Sequence, residues 1–537
     1  MAEEGAVAGE VTTIPAQLAA RVAADPDAHL AAAGGDWMTV AEVQDRARRL
    51  AAGLHGLGVS HGDRVASIMA NRPEAIDLFF ACAELGAVQV PLNVFLKGEF
   101  LRYQLADADP SVLVVDAAAL DMATRLVSGS GMDTRVVALD DTGADTDTDT
   151  DVVAYQDLAG PPEPAWPSPT PDSLLSILYT SGTTGLPKGC MINQGYFLHM
   201  PKAHMKFGWF KPSDTSITTL PLYHGFGLSA LMDALVAGCR VAFEPEFSAS
   251  TLIARAREVG ATQLWGVGAI GAALLATPSR DADRDHALER AVFIPMAPGP
   301  QHEFERRFGV RVLAEGYGQT EVLPATMDGV REGRDRPSCG KALPWLDVQV
   351  VDDGDNVLPA GEVGEIVVRP LEPYSIFSGY WRKEAATTDA WRNLWHHTGD
   401  LGSFDEEGTL HFVDRKKDAL RRRGENVSSV EVETAIVQHP GIAQAAVHAA
   451  PSELSEDEIK ACLVFEPGAG PSPEELFEYF RENLPYYAVP RYVEVMDELP
   501  VNAMGRVQKH KLREDWNAPG TVDFQNLGLT IDKSSRR

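Results

Sequence analysis

Segments with helical periodicity alternate with short apolar runs along most of this chain, and this alternation constrains its fold more than any other feature. Between residues 39 and 115, amphipathic stretches such as VQDRARRLAAGLHGLG precede apolar runs such as RVASIMA. The pattern returns in LLSILYT, SALMDALVAGCRVAF, TLIARAREVGATQLWGV and AVFIPM. Amphipathic helices that alternate with buried strands are typical of layered α/β folds. The pattern therefore predicts an α/β architecture.

A cluster of basic residues marks a change in this pattern. Residues 415–423 hold six cations in nine positions, directly before an amphipathic segment. Beyond them, the strand-like runs IAQAAVHAA, IKACLVFEP and RYVEVM and a helical segment around EELFEYFRENL are sufficient for a small α+β domain. We therefore predict two domains, 1–416 and 417–537.

Composition excludes several classes of protein. The 537 residues are 45% hydrophobic and 23% charged, as in soluble globular proteins with more than one domain. No apolar stretch is long enough to span a membrane, and the N-terminus MAEEGAVAGE lacks the features of a signal peptide, which predicts a cytoplasmic enzyme. The net charge of −30 opposes binding to nucleic acid or to an anionic membrane surface. An anionic ligand therefore needs locally placed cations.

The most informative local motif is LYTSGTTGLPKG, at residues 178–189, which overlaps the strand-like run LLSILYT. Its glycines let backbone N–H groups approach a polyanion, its hydroxyls add hydrogen-bond donors, and Lys188 adds a positive charge. Pro187 precedes this lysine and Gly189 follows it, so the loop does not match the GxxxxGK[ST] pattern of a Walker loop. We predict a phosphate-binding loop. Its candidate ligand-binding residues are Thr180, Ser181, Gly182, Thr183 and Thr184.

Four further motifs follow this loop in order. They are PLYHGFG at 221–227, YGQTE at 317–321, HTGD at 397–400 and DRKKDALRRRGEN at 414–426. Together, the five motifs resemble the adenylate-forming superfamily of acyl-CoA synthetases, luciferases and peptide-synthetase adenylation domains, over essentially the whole chain. The RRRGEN segment and its flanks are most similar to carnitine/crotonobetaine-type and medium-chain acid–CoA ligases. The resemblance implies an AMP-forming ligase that uses ATP and Mg²⁺ to activate a small organic acid and transfers it to coenzyme A.

The resemblance also implies a more detailed architecture. A large N-terminal domain of layered α/β sheet subdomains, with a smaller β subdomain, precedes a small mobile α+β domain. Lys417 falls at the hinge about which the family rotates its small domain between two half-reactions; an exposed lysine without that role is the alternative. In the second pose, the arginines at 421–423 would meet the phosphates of coenzyme A, with a solvated charged run as the alternative.

By their positions in the motifs, several residues are implied to bind the nucleotide. Glu321 resembles the Mg²⁺ ligand, since a hard oxygen donor near phosphates suits this ion. Thr320 resembles the donor to the α-phosphate. Asp400 resembles the acceptor of the ribose hydroxyls, and Arg415 resembles the cation at the ribose and phosphates. Further residues implied at this site are Gly318, Thr184 and Lys188.

His224 lies where the family places a side chain between the acyl pocket and the nucleotide, and a buried structural histidine is the alternative. The implied pocket walls are mostly small and apolar, which favours a bulky or aromatic ligand. Peptide-synthetase relatives pair an α-amine with an aspartate just after the aromatic residue of this motif. Gly227 stands there, so α-amino acids are disfavoured. The implied walls are Phe226, Gly227, Trp265, Val267, Gly268, Ala297, Pro298, Gly299 and Val322.

The last family motif departs from its usual pattern. The family places a lysine after glycine in a TGK-like turn, where it bridges the substrate carboxylate and the α-phosphate. This chain reads VNAMGRVQKHKLRE, with Arg506 at that position, while Lys509 and Lys511 are out of register. An ammonium and a planar guanidinium differ in reach and in hydrogen-bond geometry. Arg506 is therefore the candidate catalytic cation and also a reason to question ordinary carboxylate adenylation.

Three functions are compatible with this pattern. The first is an acid–CoA ligase that tolerates Arg506. The second is an ATP- and nitrite-dependent diazotase that acts on an aryl amine, as some relatives in bacterial specialised metabolism do. The third is a nucleotide-binding pseudoenzyme that regulates or scaffolds a partner.

Overall fold

The computed structural model describes residues 13–140, 152–158, 160–161, 166–180, 186–329, 338–415, 419–422, 425–452, 457–468, 470–500, 507 and 509–531. Two large sheets make up most of the N-terminal part, and smaller sheets follow. No helix in these ranges is long and apolar enough to cross a membrane. The predicted α/β fold is confirmed.

The two large sheets alternate with helices, as the periodicity predicts. Their strands are β1 (His29–Ala33), β2 (Met38–Thr39), β3 (Arg64–Ile68), β4 (Val88–Leu92), β5 (Val112–Val115), β6 (Arg135–Ala138), β7 (Val152–Ala154), β8 (Leu174–Thr180), β9 (Lys188–Asn193), β10 (Thr215–Thr218), β11 (Arg240–Phe243), β12 (Gln263–Gly266), β13 (Arg290–Phe293) and β14 (Arg311–Leu313). Their helices are α1 (Ile14–Ala24), α2 (Val40–Gly56), α3 (Pro73–Leu85), α4 (Gly98–Ala108), α5 (Ala117–Ser130), α6 (Gln194–Lys206), α7 (Gly225–Ala237), α8 (Leu252–Glu258), α9 (Gly268–Leu275) and α10 (Pro298–Phe308).

The first sheet has the order β7-β6-β5-β3-β4-β8-β9. Its strands run parallel except for β9, which returns antiparallel to β8. Strand β5 reads VLVV and is buried throughout, as expected where helices cover both faces of a parallel sheet. Helix α2 starts at a capping box in which Thr39 and Glu42 exchange hydrogen bonds. The segments predicted as helix and strand between 40 and 68 therefore form α2 and β3.

The second sheet has the order β14-β13-β12-β10-β11-β1-β2 and is parallel except between β1 and β2. Helices packed between the two sheets join them in one core. Phe79 of α3 meets Phe197 of α6 edge to face, with ring centres 5.4 Å apart. Since β14, β13, β12 and β10 are parallel neighbours, their carboxyl ends meet at one edge. The loops that leave this edge are placed to form a ligand site.

Two smaller antiparallel sheets follow, as predicted for a closing β subdomain. The first contains β15 (Gly316–Gln319), β16 (Val322–Met327) and β17 (Lys341–Ala342). The second contains β18 (Leu346–Val351), β19 (Gly364–Pro370), β20 (His396–Phe404) and β21 (Leu410–Arg415), and α11 (Glu384–Ala390) lies before β20.

The C-terminal part has its own sheet and its own core. Its elements are β22 (Ala419–Arg422), β23 (Glu425–Ser428), α12 (Ser429–Ile436), β24 (Ile442–Ala450), β25 (Glu458–Phe465), α13 (Pro473–Asn483), β26 (Tyr492–Val495), α14 (Lys509–Glu514) and β27 (Val522–Asp523). Strands β24 to β27 form one sheet in chain order, and β22 and β23 form a separate hairpin. Val447, Leu463 and Phe480 are fully buried in its core. The predicted small α+β domain is thus present.

The C-terminal part touches the N-terminal part through two tyrosines. The ring centres of Tyr486 and Phe95 are 4.5 Å apart, and the Asn93 side-chain amide donates to the Tyr487 hydroxyl at 3.3 Å. Burial raises the pKa of Tyr223, in the PLYHGFG segment, well above its ordinary range, and the negative charge of Glu425 in β23 adds to this effect. The C-terminal part therefore contacts the segment between β4 and α4.

Candidate active site

Several segments predicted to bind ligands follow the carboxyl ends of strands in the second sheet. PLYHGFG follows β10. The implied wall segment at 265–268 overlaps the end of β12, and the one at 297–299 follows β13. The YGQTE segment comes directly after β14. A Cβ atom built on Gly225 would lie 3.6 Å from the Leu178 side chain and 3.8 Å from that of Leu323. The PLYHGFG segment therefore packs against the strand that leads into the phosphate-binding loop and also against β16.

YGQTE forms the tight connection between β15 and β16, with Thr320 and Glu321 in the turn. Gly318 is required for this shape, because a Cβ atom there would lie 2.8 Å from the carbonyl oxygen of Val322. The Tyr196 hydroxyl of α6 donates to the Thr320 carbonyl oxygen at 2.9 Å. The turn that carries Thr320 and Glu321 is therefore fixed from its own strands and from α6.

Glu321 is a buried carboxylate with a tyrosine as its partner. Its side chain is 8% exposed, and its Oε1 accepts a hydrogen bond of 2.8 Å from the Tyr380 hydroxyl. Burial, together with the neighbouring Glu321 charge, raises the pKa of Tyr380 far above its ordinary range. Tyr380 therefore remains a hydrogen-bond donor at every physiological pH.

Lys188 reaches the same tyrosine from the phosphate-binding loop. Its Nζ lies 4.3 Å from the centre of the Tyr380 ring, a distance at which a cation is attracted to an aromatic face. Thr180, at the end of β8, is paired with Lys188, at the start of β9, in the antiparallel ladder of these two strands. Lys188 and Glu321 are thus brought together on Tyr380. The predicted loop residues Ser181, Gly182, Thr183 and Thr184 lie outside the described residues.

Asp400 and Arg415 are directly opposite each other in the β20–β21 ladder. The Asp400 side chain is 4% exposed. Its Oδ2 accepts hydrogen bonds of 2.7 Å each from the Tyr317 hydroxyl and the Gln319 side-chain amide. The structure therefore joins HTGD to YGQTE through Asp400, which is hydrogen-bonded to the two residues that flank Gly318.

His224 is exposed, so the alternative of a buried structural histidine is wrong. It precedes α7 as its N-cap, and its Nδ1 accepts a hydrogen bond of 3.2 Å from the Phe226 backbone N–H. Phe226 in turn packs against Trp265, with ring centres 4.7 Å apart, and its carbonyl oxygen accepts a bond of 3.0 Å from the indole N–H. Two of the implied pocket walls are therefore in contact.

Two of the implied wall glycines have a packing role instead of opening space for a ligand. A Cβ atom on Gly227 would lie 2.1 Å from the Pro221 carbonyl oxygen, and one on Gly268 would lie 1.8 Å from that of Pro295. Both positions need glycine because backbone approaches them closely. Gly299 differs, since nothing lies within 4 Å of a Cβ atom built there. The presence of glycine at 227 and 268 therefore does not indicate a large substrate pocket.

The aspartate of α7 is already engaged. Asp233 is fully buried, and both its carboxylate oxygens lie 2.8–2.9 Å from Nδ1 of His204, also buried. The His204 ring packs against Trp209 and Trp265. Asp233 therefore serves an internal pair and not a substrate amine at the start of the helix.

One arginine of the cluster at 421–423 is engaged inside the C-terminal part. Arg422 is 4% exposed, pairs with Glu458 at 2.6 Å and also donates to the Val489 carbonyl oxygen. Arg422 is therefore held by contacts inside the C-terminal part, and its meeting with coenzyme A phosphates in the second pose stays a prediction. Lys509 is likewise bound inside the C-terminal part, to Ser429 at 2.7 Å and Glu433 at 2.6 Å. The predicted Arg423, Lys417 and Arg506 lie outside the described residues.

The donor set around Glu321 fits Mg²⁺. Among the described residues, no group of three or more His, Cys, Asp or Glu side chains is arranged to hold a metal ion. A metal at Glu321 would therefore take its other ligands from water and phosphate. Mg²⁺ is commonly held this way, through one or two carboxylates and the phosphates of a substrate.

Three residues at this site had no predicted role. Tyr317 and Gln319 belong to the YGQTE motif, so the motif itself signalled their position. Tyr380 belongs to FSGYWRK at 377–383, which has no recognisable local pattern. Its importance appears only when distant parts of the chain are brought together.

Comparison with known proteins agrees with this geometry. The AMP-binding enzyme family matches residues 18–381, and the AMP-binding enzyme C-terminal domain matches residues 431–506. A crotonobetaine/carnitine–CoA ligase from Salmonella paratyphi A is 31% identical over 487 residues, which cover 88% of this chain and 92% of the relative.

Two solved structures share the fold. One is a double mutant of o-succinylbenzoate CoA synthetase from Bacillus subtilis bound to a product analogue, with a TM-score of 0.80, 26% identity, and coverage of 94% and 99% of the two chains. The other is the amide bond synthetase McbA from Marinactinospora thermotolerans, with a TM-score of 0.81, 28% identity, and coverage of 93% and 99%. The chain belongs to the AMP-binding enzyme family, within the adenylate-forming superfamily, and is an AMP-forming ligase.

Proposed function

We propose that this chain activates a small organic acid, with aromatic acids as the favoured class, as an acyl-adenylate and transfers the acyl group to coenzyme A. The observation that carries the proposal is the meeting of Lys188 and Glu321 on Tyr380. The cation comes from the glycine-rich loop and the carboxylate from a hairpin far along the chain. A nucleotide bound with Mg²⁺ needs these two groups in one place.

The roles of the residues follow from their chemistry. The loop residues Thr180, Ser181, Gly182, Thr183 and Thr184 would hold the phosphates through backbone and hydroxyl donors, with Lys188 as their cation. Glu321 would hold Mg²⁺, which supplies charge neutralisation at the phosphates when bound. Thr320 would donate to the α-phosphate.

The ribose would lie between YGQTE and HTGD. Asp400 would accept the ribose hydroxyls, and Arg415, opposite it in the ladder, would add a positive charge. Gly318 would let the backbone approach the nucleotide. The bonds from Tyr317 and Gln319 orient the carboxylate of Asp400 before any ligand binds.

The reaction would proceed in two steps. First, a carboxylate oxygen of the acid attacks the α-phosphorus of ATP and pyrophosphate leaves, while Arg506 stabilises the charge on the transferring group. Then the sulfur of coenzyme A attacks the acyl carbon, the bond between this carbon and the bridging oxygen breaks, and AMP leaves with that oxygen. His224, exposed at the start of α7, would lie between the acyl group and the nucleotide.

Relatives support the acceptor and the substrate class. Coenzyme A appears in the names of the Salmonella ligase and of the Bacillus synthetase. The Bacillus enzyme acts on o-succinylbenzoate, an aromatic acid. Phe226 supports the same class, because it is only partly buried and an aromatic wall favours stacking with an aromatic ligand.

We further propose that the domain boundary lies at 416/417 and that Lys417 is the hinge. The C-terminal part has a hydrophobic core of its own, which supports a separable unit, and it contacts the N-terminal part through Asn93 and Phe95. Rotation about this hinge would move Arg506 away from the nucleotide and bring the β22–β23 hairpin to it for the second half-reaction.

Arg506 favours a second candidate, an ATP- and nitrite-dependent diazotase acting on an aryl amine. A guanidinium in place of the family's ammonium would suit a different attacking group. The amide bond synthetase McbA supports the general idea, since its name indicates that this fold also serves reactions that form bonds to nitrogen.

Mass spectrometry of the products separates these functions. The chain is incubated with ATP, MgCl₂ and a panel of aromatic and aliphatic acids, including amino-substituted benzoates, with either coenzyme A or nitrite. We expect an acyl-CoA together with AMP, only when coenzyme A is present. Loss of the amine with a diazo mass in the nitrite arm would favour the diazotase. ATP binding without any turnover in either arm would favour the pseudoenzyme.

A further inference from the structure

One buried residue connects the two charged groups of the proposed phosphate site. Tyr380 donates through its hydroxyl to Glu321 Oε1 at 2.8 Å, and its ring lies 4.3 Å from Nζ of Lys188. In the part of the chain that the structure describes, Lys188 and Glu321 form no direct ion pair with each other. Tyr380 is therefore a shared contact of a cation and an anion that are both expected to act on the nucleotide.

The backbone around Tyr380 is held firmly. Residues 377–381 run beside β9, with backbone bonds from Met191 N–H to the Gly379 carbonyl at 2.9 Å and from Trp381 N–H to the Gly189 carbonyl at 2.8 Å. The Tyr380 N–H donates to the Thr387 hydroxyl at 2.9 Å. These bonds attach Tyr380 to the strand that begins with Lys188.

The same segment also holds the backbone of Glu321. The Phe377 N–H donates to the Glu321 carbonyl oxygen at 2.8 Å, and the Phe377 and Tyr380 rings pack edge to face with centres 5.0 Å apart. Glu321 is therefore bound to residues 377–380 at both its carbonyl and its carboxylate. Because both its backbone and its carboxylate are hydrogen-bonded to the same segment, the Glu321 side chain has little freedom to rotate.

We propose that Tyr380 is a positioning residue, whose hydroxyl orients Glu321 for Mg²⁺ and whose ring places Lys188 at the phosphates. This inference rests on the proposed function and goes beyond it, because it assigns two separable tasks to one residue outside the motifs. Each task belongs to a different part of the side chain. One substitution can therefore remove the first task and leave the second.

The test uses equilibrium binding of ATP, measured by titration calorimetry at a series of MgCl₂ concentrations, so that no acid substrate is needed. Tyr380→Phe keeps the ring and removes the hydroxyl. We expect its MgCl₂ midpoint to rise by about 10–100-fold, the usual effect of losing a partner that orients a metal ligand. Its ATP affinity at saturating MgCl₂ should equal that of the wild-type chain.

Tyr380→Leu removes both the hydroxyl and the aromatic face. We expect it to raise the MgCl₂ midpoint and, in addition, to lower ATP affinity at saturating MgCl₂, because Lys188 loses its contact. The matched control is Tyr479→Phe, which removes a hydroxyl that donates to the Ala435 carbonyl at 3.1 Å in the C-terminal part. This control should leave both values unchanged.

A double-mutant cycle with Glu321→Gln shows whether the hydroxyl acts through this carboxylate. We expect Tyr380→Phe to have no further effect on the MgCl₂ midpoint in the Glu321→Gln background. A wild-type midpoint in Tyr380→Phe, an equal loss in both backgrounds, or a failure of Tyr380→Phe to fold would overturn the inference. A wild-type chain that binds no ATP at any MgCl₂ concentration would instead overturn the proposed function on which it rests.

Discussion

Asp400→Ala is expected to cause a severe loss of ATP turnover while the chain remains folded. The carboxylate is the proposed acceptor for the ribose hydroxyls and is held by Tyr317 and Gln319. A hydrogen bond to a charged group contributes about 1.5–3 kcal/mol. Loss of the two bonds from the ribose hydroxyls to this carboxylate therefore predicts a fall of about 10²–10⁴-fold in kcat/KM for ATP. Acid-dependent exchange of labelled pyrophosphate into ATP measures this change.

Two further variants make this result specific. Asp400→Asn keeps one acceptor oxygen and should lose less activity than the alanine variant. Glu406→Ala removes an exposed carboxylate from the turn of the same β20–β21 hairpin and should have no effect. The nucleotide site is misassigned if a folded Asp400→Ala chain shows unchanged kinetics.

Arg506→Ala is expected to slow adenylate formation by about 10²–10³-fold, the usual consequence of losing one group that stabilises charge on a transferring centre. In the proposed mechanism, the second half-reaction does not need this cation. Thioester formation from a chemically prepared acyl-adenylate should therefore keep its wild-type rate. Quenched-flow assays of the two half-reactions measure these rates separately.

Arg506→Lys restores the family's usual residue and should sustain adenylate formation if the acid ligase account is correct. Lys511→Ala is the matched control, because this lysine is exposed on α14 and out of register with the motif. A normal rate of adenylate formation in Arg506→Ala would show that another group performs this role.

Local periodicity accounts for most of the fold that sequence could predict. The segment LLSILYT forms β8, and IAQAAVHAA forms β24, because runs of apolar and β-branched residues specify buried strands without help from distant residues. The motif resemblance placed Asp400 and Arg415 in one site, and the β20–β21 register puts them opposite each other.

Long-range contacts account for what sequence could not predict. Arg422 belongs to a basic run that suggests a solvated surface, yet its pairing with Glu458 takes it into the C-terminal core. Gly268 looks like space for a ligand, but its neighbour is the carbonyl of Pro295. Tyr380 has no local signature, because its role depends on β9 and on the β15–β16 turn together. Each of these contacts joins segments whose proximity only the folded chain creates.

The most direct test of acid activation follows a single oxygen atom. A substrate acid labelled with ¹⁸O in its carboxylate is supplied with ATP, MgCl₂ and coenzyme A, and the mass of the AMP product is recorded. If the carboxylate attacks the α-phosphorus, the bridging oxygen remains on AMP after thioester formation, so AMP gains one ¹⁸O atom. A parallel reaction contains ¹⁸O-labelled nitrite in place of coenzyme A. Unlabelled AMP from the labelled acid, together with ¹⁸O-labelled AMP in the nitrite reaction, would contradict the account.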